Sequence, residues 1–88
     1  MSYAATILGC GSSAGVPRVA QGWGACNPAE PRNRRRRCAL SISREGIAGS
    51  TEVVVDLGPD IREQLLDARV MHIDAVLLTH AHADHIHG

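Results

Sequence analysis

Thr79-His80-Ala81-His82-Ala83-Asp84-His85-Ile86-His87-Gly88 places four imidazoles and one carboxylate within the eight positions from His80 to His87. A packed core needs no such density of titratable groups. On an extended backbone alternate side chains point the same way, so His80 and His82 share a side and two neutral nitrogens can converge on one cation. Asp84 and His85, where the chain turns toward a helix, can offer an oxygen and a nitrogen to a second cation nearby. Imidazole with carboxylate suits Zn²⁺, Mn²⁺ or Fe rather than Ca²⁺, and no neighbouring thiolate is present to close a structural zinc site. The expected site is therefore open and catalytic. Two divalent cations about 3.5–4 Å apart would acidify a bridging water and clamp the oxygens of an in-line displacement, which is hydrolytic chemistry. His87 admits two roles, as proton donor to a leaving group or as a residue of the first turn of a helix. His72, beside Met71 at the start of a strand, reads as structural. A surface cluster of histidines, or an adventitious metal site, is the bland alternative.

Working outward, Thr51-Glu52-Val53-Val54-Val55-Asp56 is β-branched and nearly continuous, which predicts a central strand ending at Asp56-Leu57-Gly58. Cys38, Leu40 and Ile42 alternate with Ala39, Ser41 and Ser43, the two-residue period of a strand with one buried face. Glu45 to Ser50, with Gly46 and Gly49, reads as the hairpin loop between them. Residues 4–9 read as a short buried strand, ended by the turn Gly9-Cys10-Gly11-Ser12-Ser13-Ala14-Gly15. Pro59 suits the first position of a helix, and Asp60 and Glu63 complement its positive end. Ile61, Leu65, Leu66 and Ala68 fall on one face of that helix, which ends near Arg69. Ile73 to Thr79 is a further apolar run, and the order strand, helix, strand predicts a parallel β-α-β unit. The expected class is α/β with a mixed β-sheet. Between Gly15 and Arg37 no period is visible, only Pro17, Pro28, Pro31, glycines and Arg34-Arg35-Arg36-Arg37, so a functional or mobile loop is predicted.

The 88 residues carry a formal net charge of zero, so global charge names no partner. With 44% apolar and 20% charged residues the chain has a globular composition rather than a disordered one. Its length permits one small domain and not two. No apolar run approaches the roughly 18 residues needed to cross a bilayer, and the segment from Met1 to Leu8 has neither a leading positive charge nor a signal-peptide core. A cytoplasmic protein without a membrane partner is expected. Zero net charge and the near absence of aromatic residues disfavour a nucleic-acid partner. Three cysteines, Cys10, Cys26 and Cys38, form no secreted disulfide framework, and Cys26 and Cys38 read as buried thiols. The chain stops at Gly88 where a helix is expected to continue, which predicts a partial domain over residues 1–88.

Thr79-His80-Ala81-His82-Ala83-Asp84-His85 with Gly88 resembles the T-H-x-H-x-D-H-x-x-G signature of the metallo-β-lactamase superfamily. Val53-Val54-Val55-Asp56-Leu57-Gly58 resembles the strand ending in Asp that precedes it. The resemblance implies the N-terminal half of an αββα sandwich with a dinuclear site at one edge. There His80 and His82 would bind one metal, Asp84 and His85 the other, and Asp84 would also orient the bridging hydroxide. Ile7-Leu8-Gly9-Cys10-Gly11 with Gly15-Val16-Pro17 resembles the opening of the phosphodiesterase branch. Trp23-Gly24-Ala25-Cys26, Asn33 to Cys38 and Asp56-Leu57-Gly58-Pro59-Asp60-Ile61-Arg62 resemble the phosphoribosyl cyclic phosphodiesterase group. The cysteine cluster that holds a structural zinc in some of that group is reduced here to Cys26, so that zinc is not expected. The later ligands with which the family completes its site have no counterpart within these residues.

Asp56 has two readings: it hydrogen-bonds a metal-binding histidine or the ligand loop, or it caps the turn before Pro59. Arg18, Arg34, Arg35, Arg36 and Arg37 likewise either contact a phosphate-bearing substrate or form a solvated charged face. Gly9, Gly11 and Gly15 match neither dinucleotide-binding nor P-loop spacing, and read as tight turns. The leading expectation is a metal-dependent hydrolase carrying two divalent ions, Zn or Mn with Fe as a further option. Its substrate would be a small cyclic or nucleotide-like phosphodiester. The second is a catalytically silent half-domain that binds metal weakly or associates with another chain, itself included.

Overall fold

A computed structural model describes residues 2–88; Met1, where the N-terminal reading begins, lies outside the described residues. Four strands form one sheet in the order β1 (Ser2–Gly9), β2 (Ala39–Gly46), β3 (Gly49–Val55), β4 (Ala75–Leu77). β1 and β3 each run antiparallel to β2, and β4 runs parallel to β3. The helix α1 (Ile61–Asp67) makes the crossover from β3 to β4, and a one-turn helix α2 (Ala83–Ile86) follows β4. The mixed sheet and the β-α-β unit are those expected from the pattern of apolar runs.

Register explains which residues form the core. Thr6, Ser41, Val54 and Val76 lie in one cross-strand row, and the α1 face closes over it. Leu8, Ala39, Val54 and Ile61 make the buried cluster, with Leu57 and Leu65 packed against it. Burying one aliphatic side chain of this size contributes about 1.5–3 kcal/mol, so this core is small. The opposite face carries the rows Ile7, Leu40, Val55, Leu77 and Ala5, Ile42, Val53, Ala75. No element of the described residues covers it, and Ile7 stays 73% exposed. The chain is accordingly a slab of 48 × 29 × 17 Å with a radius of gyration of 14.5 Å, against about 12 Å for a compact domain of this length.

Four expectations need correction. The hairpin between β2 and β3 is tighter than Glu45 to Ser50: pairing continues to Gly46 opposite Gly49, leaving Ile47 and Ala48 as the turn, with Gly49 at φ +130°, where glycine alone is comfortable. The helix begins at Ile61 rather than Pro59, with Asp60 as N-cap residue making no side-chain capping bond, because its carboxylate is drawn to Arg37. The residues α1 buries are Ile61 and Gln64, while Leu66 is exposed. Gln64 turns inward because its amide donates to the Arg37 carbonyl at 2.8 Å, which satisfies a loop acceptor that would otherwise be buried without a partner. Finally, Cys26 is half-buried and Cys10 and Cys38 are exposed. Cys38 stands at the edge of the loop, its thiol donating to the Gly11 carbonyl at 3.3 Å.

The segment from Cys10 to Cys38 is pinned rather than loose. Bridges pair Gly11 with Arg37, Val16 with Arg35, and Arg18 with Gly22, and Pro31–Asn33 form a 3₁₀ turn whose first amides are capped by Glu30. None of these pairings has a sequence period.

Candidate functional site

The site is built where β3 and β4 end. Beyond Val55 the chain turns sharply at Asp56, which adopts φ +67°, a left-handed conformation costing about 1–2 kcal/mol for most L-residues and tolerated best by Asn and Asp. Its carboxylate offsets that strain with three contacts. Oδ1 accepts from the Thr79 amide at 2.8 Å, and Oδ2 accepts from the Thr79 hydroxyl at 2.7 Å and from the His85 Nδ1–H at 2.7 Å. The Asp56 side chain is 7% exposed. None of its contacts runs to the turn at Pro59, so of the two readings of Asp56 the geometry matches the contact with the histidine loop.

An ionised carboxylate only accepts hydrogen bonds, and this fixes the direction of every proton in the chain of contacts. Thr79 donates its hydroxyl proton to Asp56, so the same oxygen accepts from His80 Nδ1–H at 2.8 Å. His85 Nδ1 also donates. Both rings thereby carry a proton on Nδ1, which leaves His80 Nε2 outside the relay while His85 Nε2 faces Asp84 Oδ2 at 3.2 Å. Burial raises the Asp56 pKa, but the Thr79 amide, His85 and the Thr79 hydroxyl outweigh it and keep the carboxyl below its usual range. The hydrogen bond to Asp56 raises the His85 pKa, burial opposes this, and the Asp84 and Asp56 charges add to it.

Two glycines set the approach of the loop. At Gly58 a Cβ would meet the Asp84 carbonyl oxygen, and at Gly88 it would meet the Gly58 and Leu57 carbonyl oxygens. Backbone bonds from Leu57 N–H to His85 O (2.7 Å) and from Gly88 N–H to Leu57 O (2.8 Å) complete the docking of α2.

The rings of His80 and His82 lie 4.6 Å apart between centroids, and those of His80 and His85 4.1 Å apart. His85 Nε2 is 3.2 Å from Asp84 Oδ2. The structure thus gathers His80, His82 and His85, with Asp84 beside them, rather than dividing them into two separate pairs. Among the described residues no three His, Cys, Asp or Glu side chains converge as a cage around one point. The donor set fits a divalent cation in kind, with Nδ1 of His80 and His85 occupied by the relay, and its convergence is partial. His87 is exposed, and its backbone N–H bonds to Ala83 O at 3.1 Å; its ring joins none of these contacts. His72 faces Asp74 at 3.2 Å, away from the loop, and Asp74 ties the start of β4 to Glu52 through paired backbone and side-chain bonds of 2.8 and 2.7 Å.

Thr79 is the participant that residue-by-residue reading left without a role. Its signal was its place directly before His80, at the end of a strand parallel to the one that ends in Asp56. Asp60, expected only to complement the positive end of the helix, has a further role: its carboxylate takes the Arg37 amide at 3.0 Å and the guanidinium at 2.9 Å. Burial opposes ionisation of Asp60, yet the Arg37 amide and guanidinium, with Arg36 behind them, keep its pKa below the ordinary value.

The family model for the beta-lactamase superfamily domain matches residues 51–88, the stretch that holds Asp56, Thr79 and the histidine loop. The crystal structure of a new diphosphatase from the PhnP family superposes with a TM-score of 0.87 and 38% identity over 99% of this chain and 33% of that one. The chain shares the fold of the metallo-β-lactamase superfamily and matches its domain model over residues 51–88. A second superfamily structure, Zn²⁺-bound PqqB from Methylobacterium extorquens, gives a TM-score of 0.72 at 26% identity over 99% of this chain and 32% of that one. Among curated relatives, the coenzyme PQQ synthesis protein B of Methylobacterium nodulans is 32% identical over 96% of this chain, which spans 31% of that protein. An octanoyltransferase of Porphyromonas gingivalis is 40% identical over 93% of this chain, which spans 16% of it. The chain therefore covers between about a sixth and a third of the relatives it matches. No helix of the described residues is long and apolar enough to cross a membrane.

Proposed function

We propose that this chain contributes the metal-binding loop of a hydrolase that cleaves a small cyclic or nucleotide-like phosphodiester. The observation that carries the reading is the relay His80 Nδ1–H, Thr79 Oγ1–H, Asp56 Oδ2, His85 Nδ1–H. A carboxylate that orients imidazoles through their far nitrogens is the arrangement that metal-ligating histidines use to fix tautomer and raise basicity. Nothing in packing alone calls for it at an exposed loop. His80, His82, Asp84 and His85 are the residues that would hold divalent ions, Zn or Mn. When bound, such ions would supply a water of lowered pKa and neutralise charge on phosphoryl oxygens.

The other steps belong to the chain. Asp56 and Thr79 hold the proton on Nδ1 of both rings, leaving Nε2 as the nitrogen that would meet a cation, in His85 beside Asp84 Oδ2. Asp84, whose side chain is 19% exposed, presents a carboxylate that can orient a nucleophilic water by accepting its proton. His87, exposed one residue past α2, would be the group to give a proton to a leaving oxygen. The PhnP-family relative is a diphosphatase, which supports phosphoryl chemistry over acyl chemistry. Hydrolysis of bis-p-nitrophenyl phosphate by Mn²⁺- or Zn²⁺-loaded protein, suppressed by chelator and by Asp84→Asn, is the expected result. Turnover indifferent to chelator would overturn the reading.

The bare sheet face favours a second reading, in which the 88-residue chain is silent alone and associates through Ile7, Leu40, Val55 and Leu77. Exposed apolar areas of this extent mark association surfaces. A monomeric, well-folded and hydrolytically competent 88-residue protein would end it.

A further inference from the structure

We propose that Arg18, Arg34 and Arg35 form a binding site for a phosphoryl anion, of the diphosphate or phosphate monoester class, in the cleft between residues 14–19 and the arginine run. The site goes beyond the hydrolytic reading and does not depend on it: none of the histidines lines the cleft.

The cleft measures about 340 Å³, within the range of small-ligand pockets, about 300–1,000 Å³. Arg18 and Arg34 to Arg37 all line it, and Asp60 supplies the sole lining carboxylate among the described residues. Two of the five guanidiniums are already matched. Arg37 is paired with Asp60 at 2.9 Å, and Arg36 with Asp67 at 2.7 Å, a residue outside the lining. Arg35 reaches only a thiol, Cys10 Sγ, at 3.2 Å, also outside the lining, and has no carboxylate to hold it there. Arg18 and Arg34 have no acidic partner among the described residues. Three cations without a carboxylate partner, on residues that line one small cleft, give it a positive potential that an anion would relieve.

The walls are built to hold them. Val16 and Arg35 exchange both backbone bonds, at 2.9 and 2.8 Å, and Arg18 and Gly22 do the same at 2.8 Å each. Arg37 Nε donates to the Ser13 carbonyl at 3.2 Å, tying the arginine run to the preceding loop. Ordering of this kind lowers the entropy lost on binding. The ligand class follows from geometry. One carboxylate offers two oxygens and engages a single fork, whereas tetrahedral phosphoryl groups present several oxygens to several forks. No aromatic residue lines the cleft, so it has no platform for a nucleobase, which argues for a small phosphate over a single-stranded nucleic acid.

Isothermal titration of the protein with sodium pyrophosphate, in the presence of chelator and near-physiological salt, tests the site apart from any metal chemistry. Saturable binding is expected, weakened about tenfold or more in Arg18→Ala/Arg34→Ala and in Arg35→Ala. It should be unchanged in Arg62→Ala, whose guanidinium pairs with Glu63 elsewhere, and in His82→Ala. All five positions are exposed, and unchanged circular dichroism identifies the folded variants. Absence of saturable binding would overturn the proposal, as would equal loss in Arg62→Ala, sulfate binding as tight as pyrophosphate, or an oligonucleotide outcompeting it. None of those failures touches the hydrolytic reading, because the titration excludes metal.

Discussion

Replacing Asp56 by Asn separates the role of its charge from the role of its shape. Asn tolerates the left-handed backbone that Asp56 adopts at φ +67°, and its carbonyl can still accept the Thr79 amide bond that Oδ1 accepts at 2.8 Å. The amide group then stands where Oδ2 accepted from the Thr79 hydroxyl and from His85, both at 2.7 Å. A donor facing two donors is satisfied only if His85 Nδ1 becomes an acceptor and the Thr79 hydroxyl turns toward His80 Nδ1. Both rings then carry the proton on Nε2, the nitrogen needed for a cation. Losing such an orienting partner costs about 10–100-fold in metal affinity, roughly 1.4–2.7 kcal/mol. Asp56→Ala is a harsher change: it leaves three donors without an acceptor in a nearly closed site, at about 3–5 kcal/mol. That is a large share of the roughly 4–13 kcal/mol available to 88 residues. Calorimetric titration with Zn²⁺ should show Asp56→Asn folded but weaker by that factor. An Asn variant that binds Zn²⁺ as tightly as wild type, with the Nδ1–H tautomer retained, would refute the relay.

Gly58→Ala puts a methyl group against the Asp84 carbonyl, so the loop must shift; a loss of about 1–3 kcal/mol is expected, read from the urea midpoint. Asp56 and Asp60 both have folded pKa values below their unfolded ones, so their stabilisation is present above about pH 4 and disappears as pH falls through the folded values. The cost of Asp60→Asn should therefore be full at pH 7 and shrink as the pH falls through the lowered folded pKa in paired denaturation curves, and a pH-independent cost would contradict the Arg37 clamp. Substituting Ser at both Ile7 and Leu77, which are 73% and 57% exposed on the bare face, should abolish a concentration-dependent rise in mass seen for wild type by sedimentation equilibrium. A wild type that stays monomeric throughout would remove the association reading.

Much of the fold is legible because β-branched alternation is a local signal. Val53, Val54 and Val55 announce a strand, and the apolar run after a short helix announces its parallel neighbour. The histidine loop is legible for the same reason: its ligand types sit within a few residues of each other. What stays hidden is settled between distant positions. Gln64 is buried because a carbonyl 27 residues away needs a donor, and a helical wheel that counts only apolar residues assigns its place to Leu66. Asp60 abandons its capping role because Arg37 comes within 3.0 Å, a contact with no trace in spacing. The pairing of Val16 with Arg35 joins two stretches that share no period, which is why the loop reads as unstructured. Thr79 acquires meaning only once β3 and β4 lie side by side and bring Asp56 to it.

The most direct test of the central claim is the imidazole ¹⁵N spectrum of the protein during titration with Zn²⁺. The account predicts that Nε2 of His80, His82 and His85 shifts on binding while Nδ1 of His80 and His85 remains protonated, with His72 unchanged. Equal shifts at His72, or Nε2 signals that stay where they were, would mean that the loop is a surface cluster of histidines and holds no specific metal.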